Sequence, residues 1–270
     1  MRVVTDGGAD VTPELGARLK IETIRGPVCF GGNHWRGEPG EFWSALRRGE
    51  NLPATEAPSV ADLAASYVVD GPVMAVHVSS ELSRTVAHAR AAAAEVNVEV
   101  EVEVEVVDSR SLSVGTGLVA MAAAQAIEAG AEWERLREMV AGWVDEVHLH
   151  GLIDDVGFLV RGGRAGLVAA RLSKHAHRHV VAVKGHVIPV RQVRHRGEAI
   201  REMVAHIREH VPDGASRWAV GHGDAYDVDA VVERLVAVFG CDPAFVTLLG
   251  PPVGSHMGPG AIAVAFFSRS

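Results

Sequence analysis

The stretch that decides the fold runs from residue 73 to residue 96, VMAVHVSSELSRTVAHARAAAAEV. Val73 to Val78 is apolar apart from His77, the composition of a strand buried on both faces. A short polar turn, SSELS at 79–83, then opens an alanine-rich run that favours helix. Strand, polar turn and helix in that order make the repeating unit of a parallel α/β sheet.

Working outward, RVVTD at 2–6 is a β-branched run ending in Asp6 and a Gly7-Gly8 turn. PVCF at 27–30 reads as a strand, and the segment after it as a loop and a helix with Phe42, Trp43 and Leu46 on one face. PSVADLAASYVV gives a helix with Ser59 as N-cap and Asp62 in its first turn. From Val96 to Val106 valine alternates strictly with a polar residue, Asn97 and then glutamates, which predicts an edge strand with one wet face, guarded by its glutamates and carrying no chemistry. VVDSRSLSVGTGLVAMAAAQAIEAG supplies a strand tip, a polar loop and a long apolar helix. In such sheets ligands lie beyond the carboxyl ends of the strands, which singles out the loops at 5–10, 79–83 and 108–111.

After WVDEVHLHGLIDD the texture changes. FLVRGGRAG is a Gly-Arg loop, two β segments flank a Lys184-Gly185 turn, and GEAIREMVAHIREH is an amphipathic helix. RWAVGHG, FVTLLG and AIAVAFF read as strands, with a helix at VDAVVERLVAVFG. The expectation is α/β throughout in two domains. Residues 1–150 form a parallel-sheet α/β/α layer and residues 151–270 a mixed sheet with helices.

Bulk properties narrow the function. The 270 residues carry a formal charge of −8, with 48% hydrophobic and 22% charged side chains. That excludes the basic footprint of a nucleic-acid binder and any polybasic membrane patch. No apolar run reaches the roughly 18 residues of a membrane span, and no signal-peptide core opens the chain, so the expectation is cytoplasmic. Cys29 and Cys241 lie far apart without metal-ligand spacing, as a reduced pair would. P-loop, dinucleotide, nucleophile-elbow, HExxH and CxxC motifs are absent.

What remains is a polar set in loops. Ser79 and Ser80 stand at the helix start after the decisive strand, where free N–H groups favour an anion; the same pair also reads as a plain N-cap. Thr55 lies in an extended, proline-bounded loop. His256 lies in the Gly-Pro-rich loop GPPVGSHMGPG, where an imidazole can donate to a carboxylate. Arg161 and Arg164 could offer forked donors to an acidic group. HAHRH at 175–179 would align His175, His177 and His179 on one strand face, but nothing nearby completes a metal site, so none is assigned. Trp35 and Trp43 read as packing residues.

These loops, in order and spacing, resemble the DegV family, the fatty-acid-binding subunits of the bacterial fatty acid kinase system. VVTDGGADV resembles its V-T-D-S-x-A-D opening, ATEAPS its T-S-Q-P-S loop, and VSSELSRT its I-S-S-x-L-S-G-T turn. VDSRSLSVGTG, FLVRGGRAG and GPPVGSHMGPGAIAV resemble its V-D-S-x-x-x-x-x-G-x-G, L-x-x-G-G-R-I and G-P-V-I-G-T-H-x-G-P-G-A segments. The resemblance implies two α/β domains with an apolar tunnel between them for one long-chain fatty acid and no cofactor. Thr55, the Ser79-Ser80 pair (Ser80 preferred) and His256 would grip the carboxylate. Arg164 would help dock an ATP-dependent kinase subunit that makes the acyl phosphate, leaving this chain non-catalytic. Burying a sixteen-carbon tail yields on the order of 10 kcal/mol gross, while the head group must meet donors. Three positions depart from the pattern: Gly7 stands for serine, Glu56-Ala57 for Ser-Gln, and KHAHRHVVA for L-x-I-K-P-I-L. Two other readings stay open: a serine hydrolase or transferase using Ser80 or Ser83 with His256 as base, and a metal or partner site at HAHRH.

Overall fold

The computed structural model describes residues 1–35, 37, 39–49, 53–100, 102–161, 178–211 and 213–268. Chain order begins β1 (Arg2–Asp6), α1 (Pro13–Leu19), β2 (Ile21–Ile24), β3 (Val28–Phe30), β4 (Asn33–His34) and α2 (Pro39–Arg47). It continues β5 (Pro53–Thr55), α3 (Val60–Tyr67), β6 (Val73–His77), α4 (Thr85–Val100) and β7 (Val104–Asp108). The first sheet, in the order β2-β1-β6-β7, is wholly parallel. Every residue of β6 is buried, as its apolar run requires. Ser59 caps α3 by accepting from Asp62 N at 3.1 Å.

The valine–glutamate alternation is where the structure departs from expectation. α4 runs on to Val100, and strand begins only at Val104. The helix prevails because Ala89, Ala92 and Val96, three and four residues apart, already form its buried stripe. Extending a formed helix costs far less than nucleating a new element. Val98 consequently points to solvent, 84% exposed. β7 is nevertheless the sheet's edge strand, and its Glu105 pairs with Arg137 at 2.9 Å.

The second half comprises α5 (Val114–Glu128), α6 (Trp133–Glu146), β8 (Val147–Ile153), α7 (Gly157–Arg161), β9 (Arg178–Lys184) and β10 (His186–Val193). Then come α8 (Arg196–His210), β11 (Ala215–His222), α9 (Val228–Phe239), β12 (Phe245–Leu248), α10 (Pro251–Met257) and β13 (Ile262–Ser268). Six of these strands make a mixed sheet in the order β10-β9-β8-β13-β11-β12, with β11/β12 parallel and the other pairs antiparallel. The β9–β10 hairpin turns at Gly185, whose φ of +78° is a left-handed conformation that glycine adopts without cost.

α5 is buried almost all round and touches β1 and β6 of the first sheet and β8, β11 and β13 of the second. Such a helix belongs between two layers. Gly117 permits the approach, because a Cβ there would stand 2.5 Å from the Ala9 carbonyl oxygen. α8 and α9 cover the mixed sheet's other face, over Trp218, Phe266 and Leu152. A small antiparallel sheet, β4-β3-β5, carries an aromatic cluster of Phe30, Trp35, Phe42 and Trp43, so both tryptophans pack.

Candidate functional site

A cavity of about 1050 Å³, counting its open mouth, lies between the two sheets. The mixed sheet gives one wall: Leu149 and Ile153 of β8, Val181 and Val183 of β9, Val187 of β10 and Ala263 of β13. Register explains why these residues share a face, since Leu149 stands opposite Val183, and Gly151 opposite both Val181 and Ala263. Leu82, Leu112, Leu159 and Met257 add further apolar surface.

The polar lining comes from strand ends and the loops after them. Asp6 ends β1 and Gly7 and Gly8 follow it, Thr55 ends β5 with Glu56 next, and Ser83 and Thr85 come after β6. Thr55 Oγ1 and His256 Nε2 share a hydrogen bond at 3.3 Å. Two residues 201 apart in sequence thus meet at the cavity wall. Glu56, the acidic departure from the family pattern, is exposed.

His256 belongs to a short helix, α10, and not to an open loop. Prolines at its first positions have φ already set for a helix and no N–H to lose, and Gly258 at φ +76° ends it. The glycines do allow close approach, but to protein. A Cβ on Gly254 would lie 2.8 Å from the Trp43 ring, and one on Gly258 2.5 Å from Phe158.

Ser79 and Ser80 do not line the cavity. They also do not start the helix, which begins at Thr85 with Thr85 N donating to Ser83 Oγ at 3.2 Å. Ser79 is buried and its hydroxyl donates to the Gly185 carbonyl. Ser80 is exposed and its hydroxyl donates to Asp108. The turn tightens first on these two serines, so the serine presented to the cavity is Ser83, four residues past Ser79. Of the three strand-end loops, 5–10 reaches the cavity directly, 79–83 through Leu82 and Ser83, and 108–111 only through the following Leu112. Arg164, His175 and His177 lie outside the described residues, as does the side chain of Arg161, while His179 is buried in β9.

Beneath the polar lining, Asp6 is held by Gly8 N (2.8 Å), Val78 N (3.1 Å) and His77 Nδ1 (3.1 Å), and Tyr67 OH meets His77 Nε2 at 3.1 Å. Burial, reinforced by the Asp6 charge, raises the Tyr67 hydroxyl above its ordinary value. Asp10 accepts from Ser113 Oγ (2.6 Å) and Gly250 N (2.7 Å), yet burial pushes its carboxyl up to about 7. On the face of β8 that packs against α8, burial and neighbouring histidines lower His150 to about 3; burial, His210 and Lys184 lower His148 to about 4.

Cys29 and Cys241 are free thiols. Among the described residues, no helix is long and apolar enough to cross a membrane.

Comparison with known proteins gives this architecture its relatives. A DegV domain-containing protein of Mycobacterium tuberculosis is 31% identical over 97% of this chain and 95% of its own length. The chain spans about half the length (52%) of DegV domain-containing relatives from Streptococcus pyogenes, at 28% identity. A solved structure described as fatty acid binding of a DegV family protein, from Thermus thermophilus, superposes with a TM-score of 0.86 at 27% identity, covering 99% of both chains. The structure of DegV from Bacillus subtilis, described as a fatty acid binding protein, gives 0.88 at 25% identity and the same coverage. With residues 1–269 also matching the family described as uncharacterised protein, DegV family, the chain belongs to the DegV family.

Proposed function

We propose that the protein is a non-catalytic fatty-acid-binding subunit that holds one long-chain acid between its two sheets and presents the carboxylate to a separate ATP-dependent kinase. The observation that carries this reading is the contrast within one cavity: an aliphatic wall from the mixed sheet, and the Thr55–His256 pair with Ser83 on its polar lining. Tail burial at about 0.8 kcal/mol per methylene supplies affinity, and hydroxyl and imidazole donors offset the desolvation of the head group. The described fatty acid binding of the Thermus and Bacillus proteins supports the ligand class. Thr55, Ser83 and His256 are the proposed carboxylate donors, with Ser79 and Ser80 bracing the turn that carries Ser83. Acyl-phosphate formation by a docked kinase, with Arg164 at the contact, follows from the family resemblance. So does the division into two α/β units near residue 150, which the close of the first sheet at Asp108 and the start of the second at Val147 support.

Native mass spectrometry of the purified chain is expected to show one bound mass of fatty-acid size. Clean apo protein that also ignores added palmitate and oleate would refute the reading. Losing one hydrogen bond to a charged group costs roughly 1.5–3 kcal/mol, so His256→Ala should weaken palmitate binding by about 10- to 100-fold with little change in melting temperature. Equal loss of stability and affinity would make His256 a structural residue instead.

A further inference from the structure

The face of β8 that packs against α8 carries a second constellation. His148 and His150, two residues apart on one face of the strand, lie flat against Phe266, with interplanar angles of 11° and 8°. Facing them are His206 and His210, one helical turn apart at the end of α8. The rings of His150, His206 and His210 form a triangle with centroids 4.8–5.3 Å apart.

Hydrogen bonding settles which nitrogens are free. His210 Nδ1 donates to the His206 carbonyl at 2.9 Å, and His206 Nδ1 is paired with Glu209 at 3.3 Å. Each arrangement leaves Nε2 as a lone-pair donor, the carbonyl–histidine and carboxylate–histidine pairing that orients metal ligands. His150 is 2% exposed, and neither of its ring nitrogens has a hydrogen-bond partner among the described residues. A buried polar atom left unpaired costs about 1–3 kcal/mol.

We propose that His150, His206 and His210 bind a divalent transition metal of the zinc class. One nitrogen from each lies within 4.8 Å of the other two. A tetrahedral zinc keeps its nitrogens about 3.3 Å apart, so small rotations of the rings close the site. The partly exposed His206, at 27%, would leave the fourth position to water. Three neutral imidazoles without a thiolate suit zinc, copper or nickel and disfavour calcium and magnesium.

The test uses tag-free full-length protein, stripped with EDTA and titrated with zinc chloride against a competing chelator. One equivalent per chain is expected, and cobalt(II) in its place should give the visible bands of a tetrahedral centre. His206→Ala should weaken zinc by at least about 100-fold, and Glu209→Ala, which removes an orienting partner, by about 10-fold. Circular dichroism and retained palmitate binding would show that both variants fold. A double His175→Ala/His177→Ala variant should bind zinc like the parent. The proposal is overturned if the parent binds no stoichiometric zinc, if His206→Ala binds as tightly as the parent, or if the metal follows His175 and His177.

Discussion

Arg196→Met is expected to destabilise the fold by about 3–5 kcal/mol, read as a fall in the urea midpoint. Arg196 is 7% exposed, and its guanidinium makes two parallel 2.7 Å bonds to Asp227. It also donates to Asp154 at 2.8 Å and to the Gly260 carbonyl at 2.7 Å. Methionine fills a similar volume but leaves the partly buried Asp227 without its cation and Asp154 with Arg178 alone, at 3.2 Å, which is the costly half of breaking such a pair. Because Gly260 lies between α10 and β13, the loss should also loosen the segment that carries His256. Palmitate affinity is therefore expected to fall with stability, whereas His256→Ala separates the two. A midpoint unchanged within error would mean that water replaces the guanidinium at no cost.

Asp10→Asn should produce the second large effect, with a sign that depends on pH. Folded Asp10 holds its proton up to about pH 7, whereas an unfolded aspartate releases it near 3.8. The folded state therefore binds the extra proton between those values. Its contribution to stability is complete below about pH 4, falls as pH rises toward 7 and is gone above that. Roughly three pKa units correspond to about 4 kcal/mol across the window. Asparagine cannot ionise, can still accept from Gly250 N, and can donate to Ser113 Oγ. The variant should match the parent near pH 4 and exceed it by up to about 4 kcal/mol at pH 8, measured by urea unfolding at both pH values. Parallel stability curves for the two proteins would show that Asp10 ionises freely in the fold.

Much of the architecture was legible because local and global preferences agree. The apolar run at 73–77, the Ser59 cap and the Lys184-Gly185 turn each have one low-energy reading, and the fold adopts it. The valine–glutamate stretch misleads because two periods coexist there. Alternation is complete from Val96 to Val106, but the helical stripe begins upstream at Ala89, outside any window centred on the glutamates. In the candidate site, Thr55 and His256 were recognisable by resemblance, and the fold places the two within 3.3 Å of each other. That Ser83 and not Ser79 or Ser80 lines the cavity was not legible, since every hydroxyl in SSELS suits a turn and only the partners Gly185 and Asp108 decide which are engaged. His150, His206 and His210 were hidden for a similar reason. HLH and HIREH are unremarkable apart, and only the packing of α8 on β8 brings them together.

The β9–β10 hairpin acts as a clasp. Its valines Val181, Val183 and Val187 form part of the cavity wall, while its tip is fastened to the other half of the molecule by Ser79 Oγ donating to the Gly185 carbonyl and Gly185 N donating to the Arg110 carbonyl. Under the proposed function, opening of the two fastenings frees that wall to move and is expected to shorten the residence of a long-tailed guest. Ser79→Ala removes one of them at a residue that does not itself line the cavity, and is expected to quicken palmitate release severalfold in stopped-flow displacement while the initial capture rate changes less.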